Sequence, residues 1–186
     1  MKKLIILINL IFVLSQALIS GTRPKIQYLG AMIHLPLMGE HLPEQVNYFP
    51  LLFEGRYRIK VNKPEAIHGC ILFVEPQVNG VFLKPNQKSW EIGLNLGIAY
   101  QVNIQQENHL LFGIGSGPHL FPTVTTHQAK GFLFSDNFTI EYGRYFKDNW
   151  ILTGSMRFRH ISNLDIQLPN NGLDHLFLGV GFLKII

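Results

Sequence analysis

The stretch from Trp90 to Ile104 alternates strictly between apolar side chains and polar or small ones. Its even positions hold Trp, Ile, Leu, Leu, Ile, Tyr, Val and Ile, and its odd positions hold Glu, Gly, Asn, Gly, Ala, Gln and Asn. A period of two places these sets on opposite faces of a β-strand, one of which is wholly apolar. Aromatic residues at Trp90 and Tyr100 mark the two ends of that face. Their separation matches the roughly 9–11 residues with which a tilted strand crosses a bilayer.

The same alternation recurs along the rest of the chain. It is clear in the segments that begin near Phe49, Phe132, Trp150 and Leu176, and weaker in residues 25–38, 68–83 and 109–121. Turn-forming residues separate the segments at 62–64, 84–86, 105–108 and 147–149. The pattern predicts an all-β fold, an antiparallel transmembrane β-barrel of about eight strands. Charged residues on the other face would pair inside it, among them Arg157, Arg159, Glu54 and Glu141. A soluble β-sandwich or a lipocalin has the same period with its faces reversed, and stays an alternative.

The first residues have the pattern of a secretion signal. Lys2 and Lys3 precede an apolar run from Leu4 to Leu14, and a small-x-small cleavage site ends at Ala17. We therefore expect a signal peptide over residues 1–17, with cleavage possible up to residue 21, and a single domain over residues 18–186. A membrane anchor is the alternative, although the run is shorter than the ~20 residues of a spanning helix.

Composition excludes several classes of protein. The chain is 47% hydrophobic and 15% charged, which argues against disorder. Its formal net charge of +4 includes two lysines of the expected signal, and no basic cluster suggests a nucleic-acid partner. Cys70 is the only cysteine, so no disulfide can form within the chain.

Three residues near the C-terminus could form a hydrolytic site. His160 and Ser162 are two apart on one strand and therefore share a face, which is the apolar face of Met156 and Phe158. Asp174 occupies the apolar parity of the next strand. A base, a hydroxyl nucleophile and a carboxylate are the parts of a serine hydrolase. On an outer, lipid-facing surface, they point to a lipid substrate. Taken singly, each is more simply a polar residue at a strand end.

The segment His160-Ile161-Ser162-Asn163, followed by Pro169-Asn170-Asn171-Gly172 and Asp174, resembles the C-terminal signature of the PagL-type lipid A 3-O-deacylases. Related bacterial proteins are described as acyloxyacyl hydrolase-like. The resemblance implies an outer-membrane barrel with its site on the outer surface. It also implies that Ser162 is the nucleophile, His160 the general base and Asp174 the orienting acid, and that Asn163 helps to stabilise the oxyanion. The best-known member has Glu where this chain has Asp174.

We therefore expect an outer-membrane serine esterase that removes an ester-linked acyl chain from lipid A of lipopolysaccharide, without a cofactor or a metal. If both termini face the periplasm, the loop from Asn163 to Gly172 and the site lie at the extracellular leaflet. Two alternatives remain: an outer-membrane phospholipase, and a structural or adhesive barrel without activity. A cluster that pointed into the lumen, or an Asp174 far from His160, would favour the inactive barrel.

The other chemically active residues suggest less. His34, His41, His68, His119 and His127 show no metal-ligand spacing, and polar residues at the membrane interface are the default interpretation of His119 and His127. The small residues from Gly113 to Gly117 are expected to face a crowded barrel interior. Cys70 is expected to pack on an apolar face.

Overall fold

The structure is a computed structural model that describes residues 26–38, 40–41, 47–61, 68–83, 87–105 and 107–186. The predicted signal peptide, its cleavage site and the predicted turns at 62–64 and 84–86 lie outside the described residues. The strands are β1 Ile26–Met38, β2 Glu40–His41, β3 Asn47–Lys60, β4 His68–Leu83, β5 Gln87–Gln105, β6 Asn108–Phe121, β7 Gly131–Phe146, β8 Trp150–Ser162 and β9 Leu173–Ile185. One short 3₁₀ turn, Lys147–Asn149, joins β7 to β8.

The strands form a closed antiparallel barrel. Each long strand pairs with its neighbour in the chain, and β1 closes the barrel by pairing with both β9 and β3. The two-residue strand β2 only extends the edge of β3, so eight long strands build the wall. The predicted eight-stranded barrel is confirmed. We call the end that carries segments 122–130 and 163–172 the loop end. The opposite end, where β1 begins and β9 ends, is the turn end.

Register sets the tilt of the strands. Following paired residues once around the barrel from Pro36 of β1 leads back to Ile26 of the same strand, a shift of ten residues. Closed barrels of this kind tilt their strands by about 40° to the axis. A row of paired residues followed from β9 through β8 to β5 therefore descends toward the turn end by about 3 Å per strand.

The wall is apolar outside and polar inside. Trp90 and Tyr100 of β5 are each 50% exposed, whereas Glu91 and Asn95 of the same strand are buried in the interior. The other long strands likewise turn large apolar side chains outward. This polarity excludes the sandwich and lipocalin alternatives, whose apolar faces point inward. Among the described residues, no helix is long and apolar enough to cross a membrane.

A network of ion pairs fills the middle of the barrel. The buried charged side chains include four glutamates and four arginines: Glu54, Glu75, Glu91, Glu141, Arg56, Arg58, Arg157 and Arg159. Glu141 accepts hydrogen bonds from Arg56 Nη1 at 2.5 Å and from Arg58 Nη1 at 2.7 Å. Arg159 Nη1 donates to Glu91 at 2.8 Å. The balance of charge allows these groups to be buried, because each carboxylate faces at least one guanidinium.

The interior differs from the sequence prediction in three places. It also contains apolar clusters, one of which is formed by Ile71, Phe73, Ala99 and Leu111. The alternation of β4 is weak because these inward positions are apolar like the outward ones. His119 is buried inside the barrel rather than at its rim. The glycines from Gly113 to Gly117 do face inward, but Ser116 lies on the outer face, where its hydroxyl meets another strand.

Candidate active site

His160 lies on the outer face of β8, near the loop end. The outward positions below it on the same strand are Leu152, Gly154, Met156 and Phe158, and Trp150 stands at the turn end. The His160 side chain is 36% exposed. It is the first polar group above an apolar band, which is where strand parity predicts it to be.

Asp174 is the cross-strand partner of His160. The two residues are paired in the register of β8 and β9, and His160 Nδ1 lies 2.6 Å from Asp174 Oδ1. A carboxylate that accepts a hydrogen bond from Nδ1–H fixes the ring tautomer with its hydrogen on that nitrogen. The second nitrogen, Nε2, is then left as the basic one. This is the arrangement of an orienting acid and a general base.

Ser162 is the last residue of β8 and shares the outer face with His160. Its backbone is paired with Phe134 of β7, and its side chain is partly exposed. Within the described part of the chain, no hydrogen bond joins the Ser162 hydroxyl to His160. Nucleophile–base hydrogen bonds are often long without substrate and tighten when substrate binds. The nucleophilic role of Ser162 therefore stays a prediction.

Gly172 makes room for the His160 ring. It has a φ of +79°, and a Cβ at this position would lie 2.4 Å from His160 Cε1 and 3.0 Å from His160 Nε2. Glycine is thus required twice, by the left-handed backbone and by the close approach of the ring. Sequence reasoning gave Gly172 no role beyond its place in the resemblance. The Asn-Asn-Gly sequence predicts a turn at Gly172, but it does not indicate that the His160 ring packs against this glycine.

Asn163 is buried and holds the loop that follows β8. Its Nδ2 donates to the carbonyl oxygen of Gln167 at 2.5 Å, and its backbone N–H donates to Asn170 Oδ1 at 2.7 Å. Asn170 Nδ2 in turn donates to Asp165 Oδ1 at 2.8 Å. In this geometry Asn163 shapes the loop beside Ser162. Nδ2 carries a second N–H, for which no hydrogen bond is found among the described residues, so an oxyanion role for Asn163 does not require the contact with Gln167 to break; that role stays a prediction.

The loop also leans on the neighbouring segment between β6 and β7. The Ala129 N–H donates to Pro169 O at 2.8 Å, and the Asn171 N–H donates to His127 O at 2.8 Å. Gln128 and Asn170 form an isolated β-bridge. His127 thus lies at the loop end, as predicted, and its carbonyl oxygen accepts a hydrogen bond from the loop after β8. These long-range contacts fix the segment that carries Gly172 below the imidazole.

Asp136 is a second carboxylate beside His160 that the sequence analysis did not single out. It is exposed on the outer face of β7 and pairs in register with His160, on the side opposite Asp174. Ser116 Oγ donates to Asp136 Oδ1 at 2.6 Å. Parity carries a signal here, because Asp136 occupies an apolar position between Phe134 and Phe138. The site is therefore a polar row across four strands.

The remaining histidines do not belong to this row, and His109 and His175 are buried in the barrel interior. His34 and His119 are buried in the barrel interior, His68 stacks on Tyr100 on the outer face of the turn end, and the side chain of His41 is not among those described. No group of three or more metal-ligating side chains is found in the described ranges. Cys70 is partly exposed on the outer face of β4.

Comparison with known proteins agrees with the fold and the signature. The family model described as Lipid A 3-O-deacylase (PagL) matches residues 53–182. The crystal structure of the outer membrane enzyme PagL superposes with a TM-score of 0.56 at 12% identity, covering 83% of this chain and 97% of that one. Ail of Yersinia pestis, the attachment invasion locus protein, is structurally similar at 16% identity, 85% and 96% coverage and a TM-score of 0.47. No curated protein sequence matches. Because the family model spans more than half of the sequence, this chain belongs to the lipid A 3-O-deacylase (PagL) family of outer-membrane lipid A deacylases.

Proposed function

We propose that this protein is a serine esterase that removes the 3-O-linked acyl chain from lipid A at the extracellular leaflet. The observation that carries the proposal is the 2.6 Å contact between His160 and Asp174 on the lipid-facing surface, with Ser162 two residues further along the same face. A cluster inside the lumen would have favoured an inactive barrel. On this proposal the loop end faces the cell exterior.

The proposed reaction has two halves. His160 Nε2 takes the proton of Ser162 Oγ as that oxygen attacks the ester carbonyl carbon, and Asp174 holds the imidazolium that forms. The same proton then passes to the departing sugar oxygen, which leaves as a hydroxyl. Water attacks the acyl carbon while His160 takes its proton; the bond between that carbon and Ser162 Oγ then breaks, the proton passes to Oγ, and the fatty acid is released. The net reaction consumes only the ester and one water molecule.

The tetrahedral oxyanion requires a hydrogen-bond donor. One preorganised donor is typically worth ~3–4 kcal/mol in the transition state. Asn163 is the proposed donor, through the Nδ2 hydrogen that does not bond to the Gln167 carbonyl. The hydrogen bond from Asn163 to Gln167 would then persist while the oxyanion is bound.

Mass spectrometry of lipid A tests the proposal. Cells that express the protein should lose one 3-O-linked acyl chain from lipid A, and a Ser162→Ala variant should leave lipid A intact. Ser155→Ala is the matched control, because Ser155 lies on the same strand with its hydroxyl inside the barrel beside Met32. Full deacylation by a correctly folded Ser162→Ala variant would rule out the mechanism. Release of fatty acid from phospholipid but not from lipid A would show that the protein is instead an outer-membrane phospholipase.

A further inference from the structure

A second apolar surface lies at the loop end, on the outer face of β5 and β6. A groove of about 480 Å³ opens there, and it is lined mainly by Trp90, Leu120, Pro122, Lys130 and Gln167. Trp90 and Leu120 are about half exposed on the outer face of β5 and β6. A volume of this size falls in the range of small-molecule binding sites.

The walls of the groove are fixed by the fold. A hydrogen bond between the hydroxyls of Ser89 and Thr123 ties the start of β5 to the segment after β6. The Gln167 carbonyl is held by Asn163, and Pro169 is held by the Ala129 N–H. Preformed walls reduce the ordering cost of binding a ligand.

Depth in the membrane follows from the register. The row that contains His160 passes through Asp136 and Ser116 to Leu96 of β5. The row descends about 3 Å at each of the three steps. The total descent of about 9 Å equals the rise of about four residues along a tilted strand. Trp90 is six residues nearer the loop end than Leu96, so it lies at nearly the depth of Ser162. The groove therefore opens at the leaflet surface that the active site occupies.

The charge at the groove is positive. Lys130 lines it and is exposed, and Lys88 is exposed on the outer face of β5 next to Trp90. In the described ranges, no carboxylate lies within ion-pair distance of Lys130. A lysine near a membrane surface favours an anionic lipid by about 1 kcal/mol, or roughly fivefold. An apolar wall below a lysine matches a lipid with an acyl chain and a phosphate head group.

We propose that this groove is a binding site for an anionic membrane lipid, separate from the catalytic row. One acyl chain lies against Trp90 and Leu120, and the phosphate of the head group lies beside Lys130. Two strands, β6 and β7, lie between Trp90 and Ser162, which places them three interstrand spacings or about 14 Å apart around the barrel, so the acyl chain at Trp90 is not the ester-linked chain that reacts at Ser162. The proposal does not depend on the deacylase mechanism.

Fluorescence of Trp90 tests this directly. The chain has two tryptophans, and Trp150→Phe leaves Trp90 as the sole emitter. The protein is inserted into phosphatidylcholine vesicles that contain a minor fraction of either phosphatidylglycerol or phosphatidylcholine with brominated chains. Bromine quenches tryptophan only at contact. We expect Trp90 to be quenched at an about three- to tenfold lower fraction of the brominated anionic lipid.

Lys130→Gln should bring the two quenching curves together, whereas Lys147→Gln, on the exposed turn at the opposite end, should keep them apart. Equal quenching by the two lipids in the parent protein, or a preference that survives Lys130→Gln, would overturn the proposal. A shift of electrophoretic mobility on heating shows whether each variant is folded. Since no hydrolysis is measured, the result is independent of whether the row at His160 is catalytic.

Discussion

Replacing Gly172 by alanine should disable the site while leaving the barrel folded. The new Cβ would lie 2.4 Å from His160 Cε1, whereas ordinary van der Waals contact begins at 3.4 Å. The imidazole must therefore move by about 1 Å. If the ring moves away from Asp174 by that distance, the 2.6 Å contact between His160 Nδ1 and Asp174 Oδ1 becomes too long for a hydrogen bond. A misplacement of about 1 Å costs on the order of 10²-fold in rate. We expect kcat for lipid A to fall by about that factor.

Backbone strain must be separated from the loss of ring position. An alanine at a positive φ costs on the order of 1–3 kcal/mol wherever it occurs. Gly131 provides the control, because its φ is +112° and nothing lies within 4 Å of an added Cβ. Gly131→Ala should therefore destabilise the protein similarly without a comparable loss of kcat.

The assay combines a rate and a stability. The rate of fatty-acid release from lipid A in detergent micelles gives kcat, and the urea concentration at which heat-dependent gel mobility is lost gives stability. A Gly172→Ala variant that is folded and keeps more than half of the parent kcat would refute the reasoning. It would mean either that the ring does not rest on Gly172 or that His160 is not the base.

Three further outcomes follow from the contacts in the site and the interior. Asp174→Asn should lower kcat by about 10³–10⁴-fold, because the His160 tautomer is no longer fixed. Asp136→Asn should lower kcat by less than about tenfold, because Asp136 accepts a hydrogen bond from Ser116 rather than from His160. Initial rates on lipid A compare the two variants. Asn163→Ala should free the loop after β8 at a cost of about 1–3 kcal/mol, detected as faster proteolytic cleavage within residues 164–171; an unchanged cleavage rate would contradict the role of its amide. Glu141→Gln should destabilise the barrel by about 3–5 kcal/mol in urea, because it weakens the pairing of two buried guanidiniums, and should leave kcat nearly unchanged in the folded fraction.

Alternation was sufficient to predict the barrel because one face of each strand is covered by lipid and the other by a polar interior. Where both faces carry apolar side chains, as at Ile71 and Phe73 of β4, the period is obscured although the strand is intact. His119 misled for a related reason. Its parity is inward, but its position near the loop end suggested an interfacial residue, and the ring instead lies inside beside Gly93.

The candidate site was predictable only as far as it depends on strand parity. Parity on two separate strands put His160 and Asp174 on one face, and antiparallel register then made them partners. The loop contacts lay beyond this reasoning. The approach of Gly172 to the ring and the bond from Asn163 to Gln167 depend on the path of an irregular segment, for which no period exists.

The depth of the polar row explains how a carboxylate can stand on a lipid-facing wall. From Trp150 to His160, β8 advances ten residues, or about 34 Å along the strand and about 26 Å along the membrane normal at a tilt of 40°. That height equals the apolar band of an outer-membrane barrel, so His160 lies at the upper boundary of the hydrocarbon rather than within it. Lys184 pairs in register with Trp150 just as Asp174 pairs with His160, and these two charges mark the two boundaries on β9. An acid in mid-bilayer would cost about 2.5–3.5 kcal/mol, whereas at the interface this cost is largely removed. The ester bonds of a membrane lipid lie at the same boundary, so the position that makes Asp174 tolerable also brings the hydroxyl of Ser162 to the depth of its proposed substrate.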